Sequence, residues 1–403
     1  MTKYFFIFGN TPELSRAELA QLFNYFQLHP HQTTKLNEQI DLSEFAEPVE
    51  LDKIMTMSGG LIKAGMIVNQ VKELAADKIA ELVSPEISHH DFGLSVYGGL
   101  HISLKNLANE IKQVLPEKNR FVIPREGRDL SAVILQKQQI SEIVLLFNQK
   151  NNSWLIGVTQ AFQDVDEWTR QDRGRPFADS KSGMLPVKIA RILVNLALPD
   201  RVVDQRVLLD PFCGMGTVLT QALITGWQVM GADIKSEATT KANQNLTWLI
   251  SIYRYIEKSE RKLFISDATH VSNQVEKERL DAIVTEPYLG PPFETIAGQL
   301  KYRGQAVSLE KIINTIKGLE KLYLGCFKEW RALLKSTGKM VIIFPEIVWQ
   351  GKKYSVKKPI DNCEMLGYTL SQGPFEYARP QAIVRRKIYI FKKNNSQFFK
   401  FKV

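Results

Sequence analysis

The sequence predicts an α/β chain in two parts: a doubly wound unit on a parallel sheet from Pro186 onward, and before it a region of mixed α+β character over residues 1–165. Three observations predict this. First, LLDPFCGMGTVLTQALITGWQVMGADI, residues 208–234, runs from an apolar strand through the Gly214/Gly216 turn into a helix and back to a strand. Second, Asp210, Asp233, Asp267 and Glu286 stand at or just past the carboxyl ends of successive strands, the edge where open parallel sheets hold ligands. Third, residues 1–165 lack any strand–glycine–helix pattern and alternate short strands with amphipathic helices. A length of 403 residues, about twice that of a usual domain, leaves room for two cores.

In order, the N-terminal region reads as strand KYFFIFG, helix PELSRAELAQLFNYF, strand GLSVYGG, helix SLKNLANEIKQVL, and strands RFVIP, EIVLLFN and SWLIGVTQ, a pattern suited to modules with small sheets. FQDVDEWTRQDRGRPFADSKSGMLP, residues 162–186, is polar and rich in breakers, so residues 166–185 are expected to be a linker or a loop over a site. Helix VKIARILVNLAL follows, then strand RVLL, the glycine turn, and helix Thr217–Thr225 stopped by Gly226. Next come strand QVMGAD, a helix from Ser236 with that serine as N-cap, and strands KLFIS and LDAIVTE. A long helix near 308–334, strand GKMVIIFP and an antiparallel pair near 368–377 and 382–392 complete the unit over residues 186–403.

Composition is that of a globular protein with no membrane-length apolar run, and the five apolar residues Tyr4–Phe8 are too few for a signal-peptide core, so a cytoplasmic protein is expected. Cys213, Cys326 and Cys363 are far apart and form no C-x-x-C, against a disulfide framework or a local zinc site. No metal is expected, and the histidine pair in SHHDFG, residues 88–93, has no matching ligands nearby. The charge is uneven: residues 351–403 hold 12 Lys/Arg against 3 Asp/Glu, while residues 1–350 hold 40 of each. Arg385, Arg386 and Lys387, interleaved with aromatics, and the cluster Arg120, Arg125 and Arg128 therefore stand as candidate nucleic-acid contacts.

The glycine turn first suggests phosphate. Against this, Leu219 stands where a dinucleotide motif needs its third glycine, and no Gly-Lys-Ser/Thr follows. Asp210 beside the turn would repel a pyrophosphate at close range. A cationic ligand fits better: S-adenosylmethionine carries a sulfonium and an α-ammonium for Asp210, and ribose hydroxyls for Asp233.

DPFCGMGT resembles the first motif of class I S-adenosylmethionine-dependent methyltransferases. More narrowly, the chain resembles the tRNA guanosine-N2 methyltransferases that join a ferredoxin-like and THUMP region to a Rossmann-like methyltransferase domain. The resemblance is carried by KYFFIFGNTPELSRAEL, by RDLSAVILQ to WLIGVTQAFQD, by RGRPFADSKSGMLPVKIARILVNLA and by DPFCGMGTVL. It implies that Asp210 meets the methionine ammonium, that Gly214 and Gly216 let backbone approach the cofactor, and that Asp233 holds the ribose. Phe212, Cys213, Thr217 and Ile234 fall in the same contact set. Asp267 and Ala268 would take the adenine, and Ser182, Gly183 and Met184 would close over the methionine end.

The departure from the family lies in TEPYLGPP, residues 285–292. Where relatives usually show Asp-Pro-Pro-Tyr-Gly, the glycine alignment places Glu286, Pro287, Tyr288 and Leu289, with Tyr288 or Phe293 to stack on the base. A carboxylate and a carbonyl that accept the N–H groups of a conjugated exocyclic amine hold it in line with the sulfonium methyl and stabilise the charge that develops. The implied function is methyl transfer to the N2 of a tRNA guanosine of the position-10 type, with Glu286, Pro287 and Tyr288 as the catalytic loop, tRNA as partner and room for a small partner subunit. The alternatives are a base amine of DNA or rRNA as acceptor, or a non-catalytic RNA-binding subunit that keeps the cofactor fold.

Overall fold

The structure is a computed structural model describing residues 1–87, 91–98, 102–114, 120–124, 129–178, 184–296, 299–379 and 382–394. It divides into two compact units, Met1–Thr169 and Arg170–Val403.

The first unit runs β1 (Thr2–Phe8), α1 (Pro12–Tyr25), β2 (Gln32–Asn37), β3 (Ile40–Phe45), α2 (Leu51–Met57), β4 (Leu61–Val71), α3 (Ala76–Ile87), β5 (Phe92–Tyr97), α4 (Leu104–Val114), β6 (Phe121–Val122), α5 (Ala132–Gln138), β7 (Ser141–Asn148) and β8 (Ser153–Phe162). Instead of small separate sheets, these strands form one eight-stranded sheet in the order β2-β3-β1-β4-β8-β7-β5-β6. The reason is β4, whose 11 residues pair antiparallel with β1 on one side and β8 on the other. β2, β3 and β4 all escaped the sequence reading; of these, β2 has no apolar alternation in QTTKLN and lies at the sheet edge. Lys63 on β4 and Glu142 on β7 form a buried ion pair at 2.6 Å. Leu130 O also accepts from Lys63, and Thr159 Oγ1 donates to Glu142 at 2.6 Å, so neither charge is left bare.

The second unit is reached through α6 (Val165–Arg173), which replaces the loop expected at the start of residues 166–185. Beyond it the chain is tied down. The buried Arg175 donates to Thr217 Oγ1 at 2.9 Å, and the Asn245 side-chain amide exchanges bonds of 3.0 Å with both the N–H and the C=O of Phe177. A free tether would leave those backbone groups to water; Asn245 satisfies them inside the protein.

The order continues α7 (Val187–Leu196), β9 (Val207–Asp210), α8 (Thr217–Ile224), β10 (Gln228–Asp233), α9 (Ser236–Ile252), β11 (Arg261–Ile265), β12 (Leu280–Thr285), β13 (Glu294–Ile296), β14 (Gln299–Tyr302), β15 (Gln305–Ala306), α10 (Leu309–Trp330), β16 (Leu334–Trp349), β17 (Lys352–Ser355), α11 (Lys358–Asp361), β18 (Tyr368–Tyr377) and β19 (Val384–Lys393). The main sheet is β11-β10-β9-β12-β16-β19-β18, parallel through β16 and antiparallel at β19 and β18. Strand order reverses direction between β9 and β12, which opens a crevice at their carboxyl ends. Trp330, Tyr323, Phe327 and Phe344 pack under that edge. The N-cap of α9 is Lys235, one residue before the expected Ser236. The Asp233 carboxylate receives the Lys235 N–H at 2.9 Å and fulfils a capping role from outside the helix. Among the described residues no helix is long and apolar enough to cross a membrane.

Candidate functional site

The turn after β9 is built by two left-handed glycines, Gly214 at φ +50° and Gly216 at φ +81°. Gly216 is the N-cap of α8, and a Cβ there would lie 3.3 Å from the Ala242 methyl. A Cβ on Gly214 would meet nothing within 4 Å, so the backbone at that point faces open space. The turn is stapled to β10: Cys213 N–H donates to Ala232 O at 2.8 Å, and Gly214 N–H donates to Asp233 Oδ2 at 3.1 Å.

Met184, Leu185, Asp210, Phe212, Cys213, Gly214, Met215, Thr217, Val218 and Glu286 line a pocket of about 240 Å³ over this turn. Asp210 is only 2% exposed, and its Oδ1 accepts both the Phe212 N–H at 3.1 Å and the Thr285 hydroxyl at 2.7 Å. Burial raises the Asp210 carboxyl to about 7; the two hydrogen bonds oppose that rise, and the charges of Asp233 and Glu286 add to it. Two carboxylates, Asp210 and Glu286, thus line one small space, Asp233 adds to its negative field from beyond the lining, and no cation stands among the described lining residues, an arrangement that favours a positively charged ligand. Burial, helped by Asp210 and Asp233, pushes the Cys213 thiol up, which makes it a packing group.

Glu286 follows β12 directly, and Arg386 of β19 donates its Nε–H to Glu286 Oε1 across 100 residues of sequence. Both side chains are largely enclosed, at 18% and 12% exposure. Burial lifts the Glu286 carboxyl above the usual range, and the Arg386 guanidinium pulls it back. Tyr288 is 55% exposed, and its carbonyl accepts the Tyr323 hydroxyl at 2.6 Å, which pins the loop while leaving the ring to solvent. Pro287 is buried between them.

Other expected residues lie outside the pocket lining. Ile234 is 67% exposed beside Asp233, an apolar side chain with no apolar cover. Asp267 is exposed, and its Oδ1 accepts the Thr269 N–H at 2.8 Å and hydroxyl at 2.7 Å, which holds its carboxyl below the usual range. Ala268 is buried, and its carbonyl accepts from Trp330 Nε1 at 2.8 Å. Ser182 and Gly183 lie outside the described residues, as do Arg125, Arg128 and the histidine pair; Met184 lines the pocket.

The C-terminal cations offered as nucleic-acid contacts lie on β19, in the antiparallel pair expected there, and are engaged by carboxylates. Arg385 pairs with Glu376 at 3.1 Å, Lys387 with Glu376 at 2.5 Å, and Arg386 with Glu286. Arg120 is held by Asp91, through its Nε–H at 2.9 Å and its own backbone N–H at 2.9 Å. Sequence reasoning missed Thr285, Arg175, Leu185, Met215 and Val218. Only the last two carried a signal, their place inside the glycine motif.

No protein-family model matches the chain. In sequence it is similar to proteins named tRNA (guanine(10)-N2)-dimethyltransferase: 34% identical over 227 residues to that of Methanothermobacter thermautotrophicus, covering 55% of this chain and 61% of the relative. The Methanocaldococcus jannaschii protein is 38% identical over 110 residues, 27% of this chain and 29% of the relative. That of Pyrococcus abyssi is 31% identical over 129 residues, 30% of this chain and 36% of the relative. The matches thus span between about a third and three-fifths of those relatives' length. TrmN from Thermus thermophilus shares the fold over 97% of this chain and 99% of its own, with a TM-score of 0.54 at 13% identity. The chain shares with TrmN the fold of a doubly wound α/β unit that follows an α+β region in sequence, and its sequence resembles proteins named tRNA (guanine(10)-N2)-dimethyltransferase.

Proposed function

We propose that the chain is an S-adenosylmethionine-dependent methyltransferase acting on the exocyclic N2 of a guanosine in tRNA. The observation that carries this is the acidic pocket at the sheet's switch point, where Asp210 and Glu286 line the space over a glycine turn that Asp233 braces and that is open to a ligand. The donor set fits the cofactor. Asp210 Oδ1 is committed to Phe212 and Thr285, which leaves Oδ2 to receive an α-ammonium. Asp233 spends one acceptor site per oxygen on backbone N–H groups, and a carboxylate's remaining lone pairs suit a ribose diol. The exposed Ile234 offers an apolar shelf beside the ribose position. When bound, the cofactor supplies a methyl group activated by its sulfonium.

Glu286 does the work on the acceptor. Oε1 is fixed by Arg386, so Oε2 accepts an N–H of the guanine amine, aligns its nitrogen and takes the proton released as the N–C bond forms. The exposed Tyr288 ring stacks on the base. The first unit, with its THUMP-like stretch, grips the tRNA, in keeping with a cytoplasmic enzyme. The acceptor is tested by incubating the chain with labelled cofactor and, separately, unmodified total tRNA, rRNA and DNA. Label in tRNA alone is expected; label in DNA or rRNA alone moves the acceptor, and no label with intact cofactor binding makes the chain a non-catalytic subunit.

A further inference from the structure

We infer that the β14–β15 turn and the first turn of α10 hold the phosphodiester backbone of the RNA beside the acceptor nucleotide, through Arg303 and Lys311 respectively. This rests on the reading of the chain as an RNA methyltransferase. The β13–β15 meander starts just past the Glu286–Gly290 loop and is anchored by Phe293, Leu300 and Tyr302 against Val307, Ile312 and Ile347. Tyr302 opposes ionisation of the Tyr288 phenol, so the two rings lie within electrostatic reach of each other.

Two cations converge on the Tyr302 ring, the Arg303 guanidinium at 5.4 Å and the Lys311 ammonium at 5.3 Å from its centroid. Both residues are exposed. Among the described residues neither makes an ion pair, unlike Arg385, Arg386 and Lys387. Glu310, next to Lys311 on α10, lies about 100° round the helix axis from it. Lys301 faces Glu294 across the ladder and is left out for that reason. The ring thus gathers two unpaired cations at one surface point, and a phosphodiester backbone passing it can meet each with charge-assisted hydrogen bonds.

The backbone supplies an independent sign. Arg303 (φ +51°) and Gly304 (φ +79°) form the two-residue tip between β14 and β15, with Tyr302 and Gln305 paired. Positive φ at both central positions is a type I′ turn, for which Asn-Gly is favoured. The turn geometry therefore does not ask for arginine; its charge at the tip does something else. It also provides a benign substitution, since Arg303→Asn keeps the turn and removes the charge.

The test uses the full chain and a fluorescent, unmodified tRNA transcript, with binding followed by anisotropy from low to moderate salt. The double variant Arg303→Asn, Lys311→Gln should flatten the log–log salt dependence by about 1 to 2, one counterion release per phosphate lost. Its thermal midpoint and S-adenosylmethionine affinity should equal the native values. An unchanged slope in that stably folded variant overturns the inference even if the native chain methylates tRNA. A native chain that transfers no methyl to tRNA, with a slope the variant flattens, removes the acceptor reading and leaves the RNA contact standing.

Discussion

The two halves of the crevice are built differently. On the proposed cofactor side, Asp210, Phe212, Gly214 and Asp233 lie within 24 residues, and the turn is held by bonds between neighbouring strands. On the proposed acceptor side, Glu286 depends on Arg386, 100 residues away on an antiparallel strand, and on Tyr323, which fixes the Tyr288 carbonyl. The first half is a local motif that any doubly wound sheet can present. The second is assembled by the tertiary fold, so substitutions there should separate chemistry from binding.

Glu286→Gln breaks that comparison most strongly. It should cost about two or more orders of magnitude in kcat, as losing a transition-state electrostatic group does, with little change in cofactor or tRNA affinity. Single-turnover kinetics check it, and near-native kcat would remove Glu286 from the mechanism. Glu286→Asp should fall between, limited by its shorter reach.

Asp233→Ala is the counterpart on the other side. Cofactor affinity, measured by calorimetry, should drop by roughly 1 to 3 kcal/mol as ribose hydroxyls lose their acceptor. Some thermal stability should go with it, because Asp233 also holds the Gly214 and Lys235 N–H groups. Unchanged affinity would show that Asp233 is only a brace for the turn.

This contrast explains what was legible in the sequence. The glycine turn, the four acids at strand ends and the antiparallel C-terminal pair could be read because each is a local pattern of charge, glycine or period. The Thr285 hydroxyl on Asp210 and the Arg386 pairing of Glu286 could not, since a buried threonine or strand arginine has no local mark. Arg385, Arg386 and Lys387 looked like a free basic run because their partners, Glu376, Glu286 and Glu346, are distant in sequence or across a turn. The eight-stranded first sheet was read as smaller ones because β4, which joins its halves by long-range pairing, was not read as a strand.

pH sharpens the comparison further. The folded Asp210 carboxyl sits at about 7, above its ordinary value, so the stability it contributes is complete below about pH 4 and is lost as pH rises through about 7. The cofactor-free chain should therefore lose thermal stability over that window. Cofactor affinity should rise over it, with proton release visible in buffers of different ionisation enthalpy, and Asp210→Asn should flatten both. For Arg386→Gln the sign is set by the lost cation. Glu286 is then held higher still, so the acid limb of the kcat/KM profile should move to higher pH with cofactor affinity intact. An unmoved limb would make the pair purely structural. The smallest effect is expected of Arg385→Gln with Lys387→Gln: those charges are already paired with Glu376, so the salt dependence of tRNA binding should stay near native.

The most direct measurement is the identity of the product. Unmodified tRNA treated with the chain and S-adenosylmethionine is digested to nucleosides and resolved by mass spectrometry. N2-methylguanosine or N2,N2-dimethylguanosine, absent when Glu286→Gln replaces the native chain, is the predicted result. A methyl group on any other atom, or the same guanosine product at undiminished rate from the variant, would contradict the assignment of Glu286 to the guanine amine.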